Sequence, residues 1–376
     1  MKRPAPDAGD AAGALMRVLA TLSAAAMLCM AGCAAPGPAV LRFGFDESPQ
    51  GKRLMWPAEP EVPRYLYAGV LIGEVNFKRP GDDAREGVAS FLAWLAGLVA
   101  GDATPVELRR PNAGVVDLNG RILITDSSRQ AVFVFDPVLG KLETWEKAEG
   151  LTDFQSPVGI AATPDGRIFV ADADLGIVAH LDASGAPLGA FGRGVLRRPT
   201  GLAYDSATNE LYVADTQSHD IKVFDSRGAV SRVIGRRGEA MGEFNFPTYL
   251  AFAEGLLFVT DTMNSRIQVI SRDGKTVQRS FGERGLYVGN LVRPKGVAVD
   301  TEGNVYVVES YHDHLLVFNR YGKFLMAIGG AGQEVGKFFL PAGVWTDRLN
   351  RVFVADMFNG RIVLFQHLGG GADGEQ

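Results

Sequence analysis

Proline recurs in a fixed register along most of the chain, at Pro111, Pro157, Pro199, Pro247, Pro294 and Pro341, with spacings of 46, 42, 48, 47 and 47 residues. Three residues before each stands a large apolar side chain: Leu108, Phe154, Leu196, Phe244, Leu291 and Phe338. A period of this length marks one supersecondary unit copied in series, and no single copy can bury its apolar surface without its neighbours.

Within a unit the proline is followed by a short apolar run such as GVAVD (296–300), a polar turn Thr301-Glu302-Gly303, and a β-branched run VYVVES (305–310). A third run, LLVFN (315–319), a turn ending in Gly322 and a fourth run, FLMAIG (324–329), complete it. Short β-rich runs punctuated by Gly, Asn and Asp predict a four-stranded antiparallel meander. Stacking such sheets radially covers both faces of each. The last unit holds only three strands, around 344–347, 351–356 and 361–366, while RYLYAGVLIG (64–73) is a strand without a unit of its own. The expected fold is therefore all-β: a six-bladed β-propeller over 111–366 with four-stranded antiparallel blades. Its ring is closed by a strand within 64–76, and an unstructured tail is expected at 367–376. Closure leaves no open strand edge at the seam.

The second strand of every unit ends in an acid: Asp126, Asp172, Asp215, Asp261, Glu309 and Asp356. With the V-x-D-x-x-N-x-R pattern of Asp261-Asn264-Arg266 and Asp356-Asn359-Arg361, this series resembles the NHL repeat of β-propellers. The resemblance spans about 111–366. It implies that each acid caps its own loop through backbone amides and a nearby Arg or Asn, a structural role. The chain departs from the pattern at Glu309, at Tyr249 where most units have Gly, and at Leu175 and Ile177, which replace Asn and Arg.

Lys and Arg number 38 against 43 Asp and Glu, a net charge of −5, which argues against a chain devoted to nucleic acid. The two cysteines, Cys29 and Cys33, lie in one N-terminal apolar segment, so neither disulfides nor thiolate clusters hold the body of the fold. Met16-Arg17 precedes an apolar run from Val18 to Met30 and then Ala31-Gly32-Cys33, the layout of an export signal with either Met1 or Met16 as its start. Met30-Ala31-Gly32-Cys33 resembles the bacterial lipoprotein box, and the resemblance implies a signal over 1–32 and lipidation of Cys33. An ordinary secretory signal is the alternative. Ala34 and Ala35 favour outer-membrane sorting over inner-membrane retention in that resemblance, on the periplasmic or surface side. The Pro-rich stretch 33–63 reads as a tether.

Between the closing strand and the first unit, an insertion at 77–110 contains GVASFLAWLAGLVAG (87–101), whose Val88, Phe91, Leu92, Leu95, Leu98 and Val99 follow helical spacing. An amphipathic helix is expected, packed on the propeller or docked to a partner or lipid, with Trp94 off its main stripe. The connections between second and third strands share one face of the ring with the connections between blades. That face carries the acid series together with Met263, Tyr311, Met357 and Phe358, apolar residues at loop tips that suit a protein partner. His219, His312 and His314 fall on the same face and could hold an axial metal. The resemblance admits this, because NHL-like propellers include metal-dependent amidating lyases, and gluconolactonase-like and streptogramin-lyase propellers use axial metals. No base or nucleophile accompanies the histidines, so the expected catalytic set and cofactor list are empty. Some NHL propellers bind RNA through a basic face, which an exported, lipid-anchored chain would rarely meet. The sequence therefore points to a lipid-anchored envelope propeller acting as a non-catalytic scaffold for envelope proteins, with an axial-metal lyase or lactonase as the alternative.

Overall fold

A computed structural model describes residues 39–43, 54–78 and 105–369. Six antiparallel sheets succeed one another around an axis. Blade one comprises Pro111–Val116, Ile122–Asp126, Ala131–Asp136 and Lys141–Trp145, and blades two to five repeat this order, each inner strand beginning at the register proline. In blade six the inner strands Val344–Thr346, Arg351–Asp356 and Arg361–His367 are completed by Tyr65–Leu71, which pairs antiparallel with the third strand from Ile362↔Leu71 to His367↔Tyr65. The ring is closed by a segment from the far end of the chain.

The leucine or phenylalanine three residues before each proline explains the second half of the repeat. Phe154 packs between blades one and two, Leu196 between two and three, Phe244 between three and four, Leu291 between four and five, Phe338 between five and six, and Leu108 between six and one. All six are buried. Removing that area from water at about 25 cal/mol per Å² makes each inter-blade contact an apolar weld. The welds are continued by polar bridges from one blade to the inner strand of the next: Thr125 Oγ1 donates to the Val158 carbonyl (2.7 Å), Thr200 to Thr248 (2.8 Å) and Thr262 to Pro294 (3.0 Å). Neighbouring inner strands approach so closely that a Cβ on Gly159 would overlap the Thr200 carbonyl oxygen, which accounts for glycine two residues after the proline.

Tyr249 occupies that glycine position in blade four. Its hydroxyl donates to the Asn112 carbonyl of blade one, 3.1 Å away on the opposite side of the ring. The phenol therefore crosses the axis near the acid-bearing end of the channel. Burial pushes its pKa well above the ordinary tyrosine value.

Three expectations are revised. The presumed tether at 33–63 is in part docked on the propeller: Val40–Leu41 pairs with Phe77–Lys78, and Met55–Trp56 adds a fifth strand outside Tyr65–Leu71. Leu41, Phe43, Leu54 and Trp56 pack against the core, apolar side chains that a composition dominated by proline conceals. The tail does not begin at 367, because His367 ends a strand and is buried, and Leu368 N–H donates to the Arg64 carbonyl (2.8 Å). The insertion is ordered at both margins, in Phe77–Lys78 and at the Gly73↔Glu107 bridge. Its expected helix at 87–101, with Trp94, lies outside the described residues, as does Cys33. Among the described residues there is no α-helix, and none long and apolar enough to cross a membrane.

Candidate binding face

Every acid of the series is buried where its second strand ends. The Asp126 carboxylate accepts four backbone N–H groups, two from the preceding inter-blade loop (Arg109 at 2.6 Å, Arg110 at 2.9 Å) and two from its own turn (Ser128 at 3.0 Å, Arg129 at 2.9 Å). Asp172 repeats this arrangement with Gln155, Ser156, Asp174 and Leu175, so the apolar residue at 175 is accommodated because the contact uses its backbone. Glu309 does the same with Val292, Arg293, Tyr311 and His312, its longer side chain still reaching both loops.

In blades four and six side chains replace the turn amides. Asp261 holds Asn264 and Arg266 (both 2.8 Å), and Asp356 holds Asn359 and Arg361 (both 2.8 Å). Burial lifts the Asp356 pKa despite those donors. Burial also pushes Asp215 upward, but the Lys222 ammonium at 2.8 Å and the Arg197 and Arg198 amides outweigh it, and the group titrates below the usual range. The six carboxylates clasp two sets of loops to each other, and each is occupied in doing so.

The histidines are not assembled into one site. His219 Nδ1 accepts the Phe246 N–H (3.2 Å), and its ring meets Phe246 edge-on at 4.4 Å. His312 Nδ1 lies 3.0 Å from Glu309 Oε2, two blades away from His219. His314 begins the third strand of blade five, and burial holds its pKa below the usual 6.5. Among the described residues no three of His, Cys, Asp and Glu are gathered to hold a metal ion. The axial cavity, about 300 Å³, is lined largely by apolar inner-strand residues such as Val115, Leu202, Phe252 and Val344, with Tyr249 across it.

The face presents several large apolar side chains to solvent, alongside charged ones such as Arg198 and Arg236. Met263 is 58% exposed, Tyr311 59% and Phe358 45%, whereas Met357 is half-buried beside them. Phe358 packs edge-on against Phe339 (5.6 Å) with the Arg110 guanidinium over its ring at 5.0 Å. Sequence reasoning missed Leu286 and Tyr287, 85% and 84% exposed in the loop between blades four and five. That loop lies beside His312 and His314 across a small cleft. Its signal was the run GLYVG (285–289), consecutive apolar residues between glycines in a connection that has no blade strand to join. Phe246 and Phe339 were missed likewise, as single aromatics in inter-blade loops.

Comparison with known proteins agrees with this geometry. A family described as a 6-bladed beta-propeller matches residues 289–371, and the NHL repeat matches residues 196–224. The chain is a six-bladed β-propeller that contains an NHL repeat. Among curated proteins, this propeller is 32% identical over 146 residues to protein brain tumor of Drosophila melanogaster, covering 38% of this chain and 13% of that one. It is 31% identical over 158 residues to NHL repeat-containing protein 2 of Bos taurus, covering 33% and 22%. The propeller thus spans less than a quarter of the length of these relatives. Among solved structures, a streptogramin B lyase superposes with TM-score 0.53 at 13% identity over 69% of this chain and 94% of its own. A virginiamycin B lyase from Staphylococcus aureus with quinupristin gives 0.53 at 12% identity over 84% and 98%. Likeness at that identity concerns the fold.

Proposed function

We propose that this NHL propeller is a lipid-anchored cell-envelope scaffold that binds a protein partner through its acid-bearing face. The observation that carries the reading is the exposure of Met263, Leu286, Tyr287, Tyr311 and Phe358 on the loops of three successive blades, four to six. Large apolar side chains on loop tips are costly in water and mark interaction surfaces. The acids beneath them are engaged by loop amides and side chains, so the face offers apolar side chains among charged loops and not a reactive carboxylate ring. The lipoprotein-like Met30-Ala31-Gly32-Cys33 supports the anchoring, an outer-membrane location on the periplasmic or surface side, and an envelope protein as partner. The alternative axial lyase is not favoured, since His219 is hydrogen-bonded within its own loops and Tyr249 spans the axis.

Photo-cross-linking in cells tests the reading, with the cross-linker placed at Tyr311 or Phe358 and, for comparison, at Tyr321 in a turn on the opposite face. One defined adduct from the first two positions, absent from Tyr321 and lost on Tyr287→Ser, is expected. The same adducts from both faces would overturn it.

A further inference from the structure

A second cavity lies at the ring seam, away from the acid-bearing face. It has a volume of about 450 Å³, and its walls come from distant parts of the chain: Trp56 from the outermost strand, Arg64 and Tyr65 from the closing strand, His367 from the third strand of blade six, and Glu302 and Met326 from blade five. Only a closed ring brings them together.

Its polar end is unfinished. His367 is 7% exposed, yet its Nδ1 has no hydrogen-bond partner. That nitrogen lies 3.6 Å from Glu302 Oε1 and 3.7 Å from Asp300 Oδ2, beyond hydrogen-bond length from both. The imidazole is fixed in place by stacking on Tyr65 at 5.0 Å, and the Tyr65 hydroxyl lies 3.2 Å from that of Tyr306. Asp300 is satisfied, because it accepts the Glu302 and Asn304 amides, the Asn304 side chain and the Tyr306 hydroxyl. The Glu302 carboxylate receives no hydrogen bond among the described residues. The buried Nδ1 of His367 therefore has no partner, a condition that buried polar groups in folded proteins seldom tolerate, and the partly solvated Glu302 carboxylate beside it has no protein donor among the described residues.

The charge at that end selects the missing donor. Glu61 and Glu302 outnumber Arg64, the one cation of the lining, and with its proton on Nε2 the imidazole offers Nδ1 as an acceptor. The opposite wall is apolar, from Trp56, Val317 and Met326. We propose that the seam cavity binds a small organic cation, its ammonium N–H groups donating to Glu302 and His367 Nδ1 and its apolar body lying against Trp56 and Met326. Such a ligand would also hold the ring closed, because it binds only where blades five and six meet.

Titration calorimetry on the full chain tests this with 2-phenylethylammonium, uncharged 2-phenylethanol and anionic 3-phenylpropionate. The ammonium is expected to bind at one site at least about tenfold more tightly than either of the others. Glu302→Gln, in an exposed turn, should weaken it about tenfold through loss of a charge-assisted hydrogen bond while the unliganded protein melts as before. Trp56→Leu should weaken all three ligands. Equal binding of ammonium and alcohol, an unaltered affinity in Glu302→Gln, or no binding up to about 10 mM would overturn the assignment.

Discussion

The hydroxyl of Tyr249 in blade four hydrogen-bonds the carbonyl of Asn112 in blade one, 3.1 Å away across the axis of the ring. One side chain thus braces two opposite blades at a position where four of the other five units have glycine. Tyr249→Phe is expected to lower stability by about 1 kcal/mol, the value of one hydrogen bond, and Tyr249→Gly by about 3–4 kcal/mol through loss of the ring and the space it fills. Urea denaturation of the three proteins checks both figures.

The loop clasps predict a position-dependent penalty. Asp126→Ala leaves four buried-end amides without an acceptor, so a loss of at least about 2 kcal/mol is expected, with faster hydrogen exchange at Arg109, Arg110, Ser128 and Arg129. In Asp356→Ala the exchange change should instead concentrate at Phe339, because Asn359 and Arg361 reach the carboxylate through side chains.

These two cases separate what could be read in the sequence from what could not. The proline, its apolar partner three residues earlier and the terminal acid are each repeated six times, and one geometry satisfies all of them, so the blades and the closing role of 64–73 were legible. Tyr249 was visible as a departure from glycine, but its contact with Asn112 depends on blades one and four being opposed. The docking of Trp56 on Phe365, ring centroids 5.4 Å apart, and the burial of His367 depend on which strands lie outermost, a long-range fact with no local pattern. The exposed Leu286 and Tyr287 went unread because an apolar run in a loop looks like core until its strand is found missing.

Burial holds the His314 pKa below 6.5, and burial together with the Arg167 charge does the same for His180, whose ring stacks on Phe169 at 4.9 Å. Below pH 6.5 the unfolded chain takes up protons that these folded imidazoles resist. Stability is therefore fully present above that pH and falls as pH drops toward the folded-state values. Denaturation at pH 7.5 and 5.5 should show this decline, and His180→Gln/His314→Gln should flatten it. An unchanged decline would place the titration elsewhere.

The proposed anchoring through Cys33 predicts that the native chain partitions to the membrane fraction and incorporates labelled fatty acid. Cys33→Ser should abolish the label, because the thiol that would carry the acyl chain is gone.

The acid-bearing face and the seam cavity both require that Tyr65–Leu71 complete blade six by pairing with Arg361–His367. Differential scanning calorimetry of the intact chain and of one lacking residues 64–73 tests that requirement most directly. The account predicts that the deletion lowers the Tm by more than about 10 °C or abolishes the cooperative transition. A truncated chain that melts at the same temperature with the same enthalpy would contradict it.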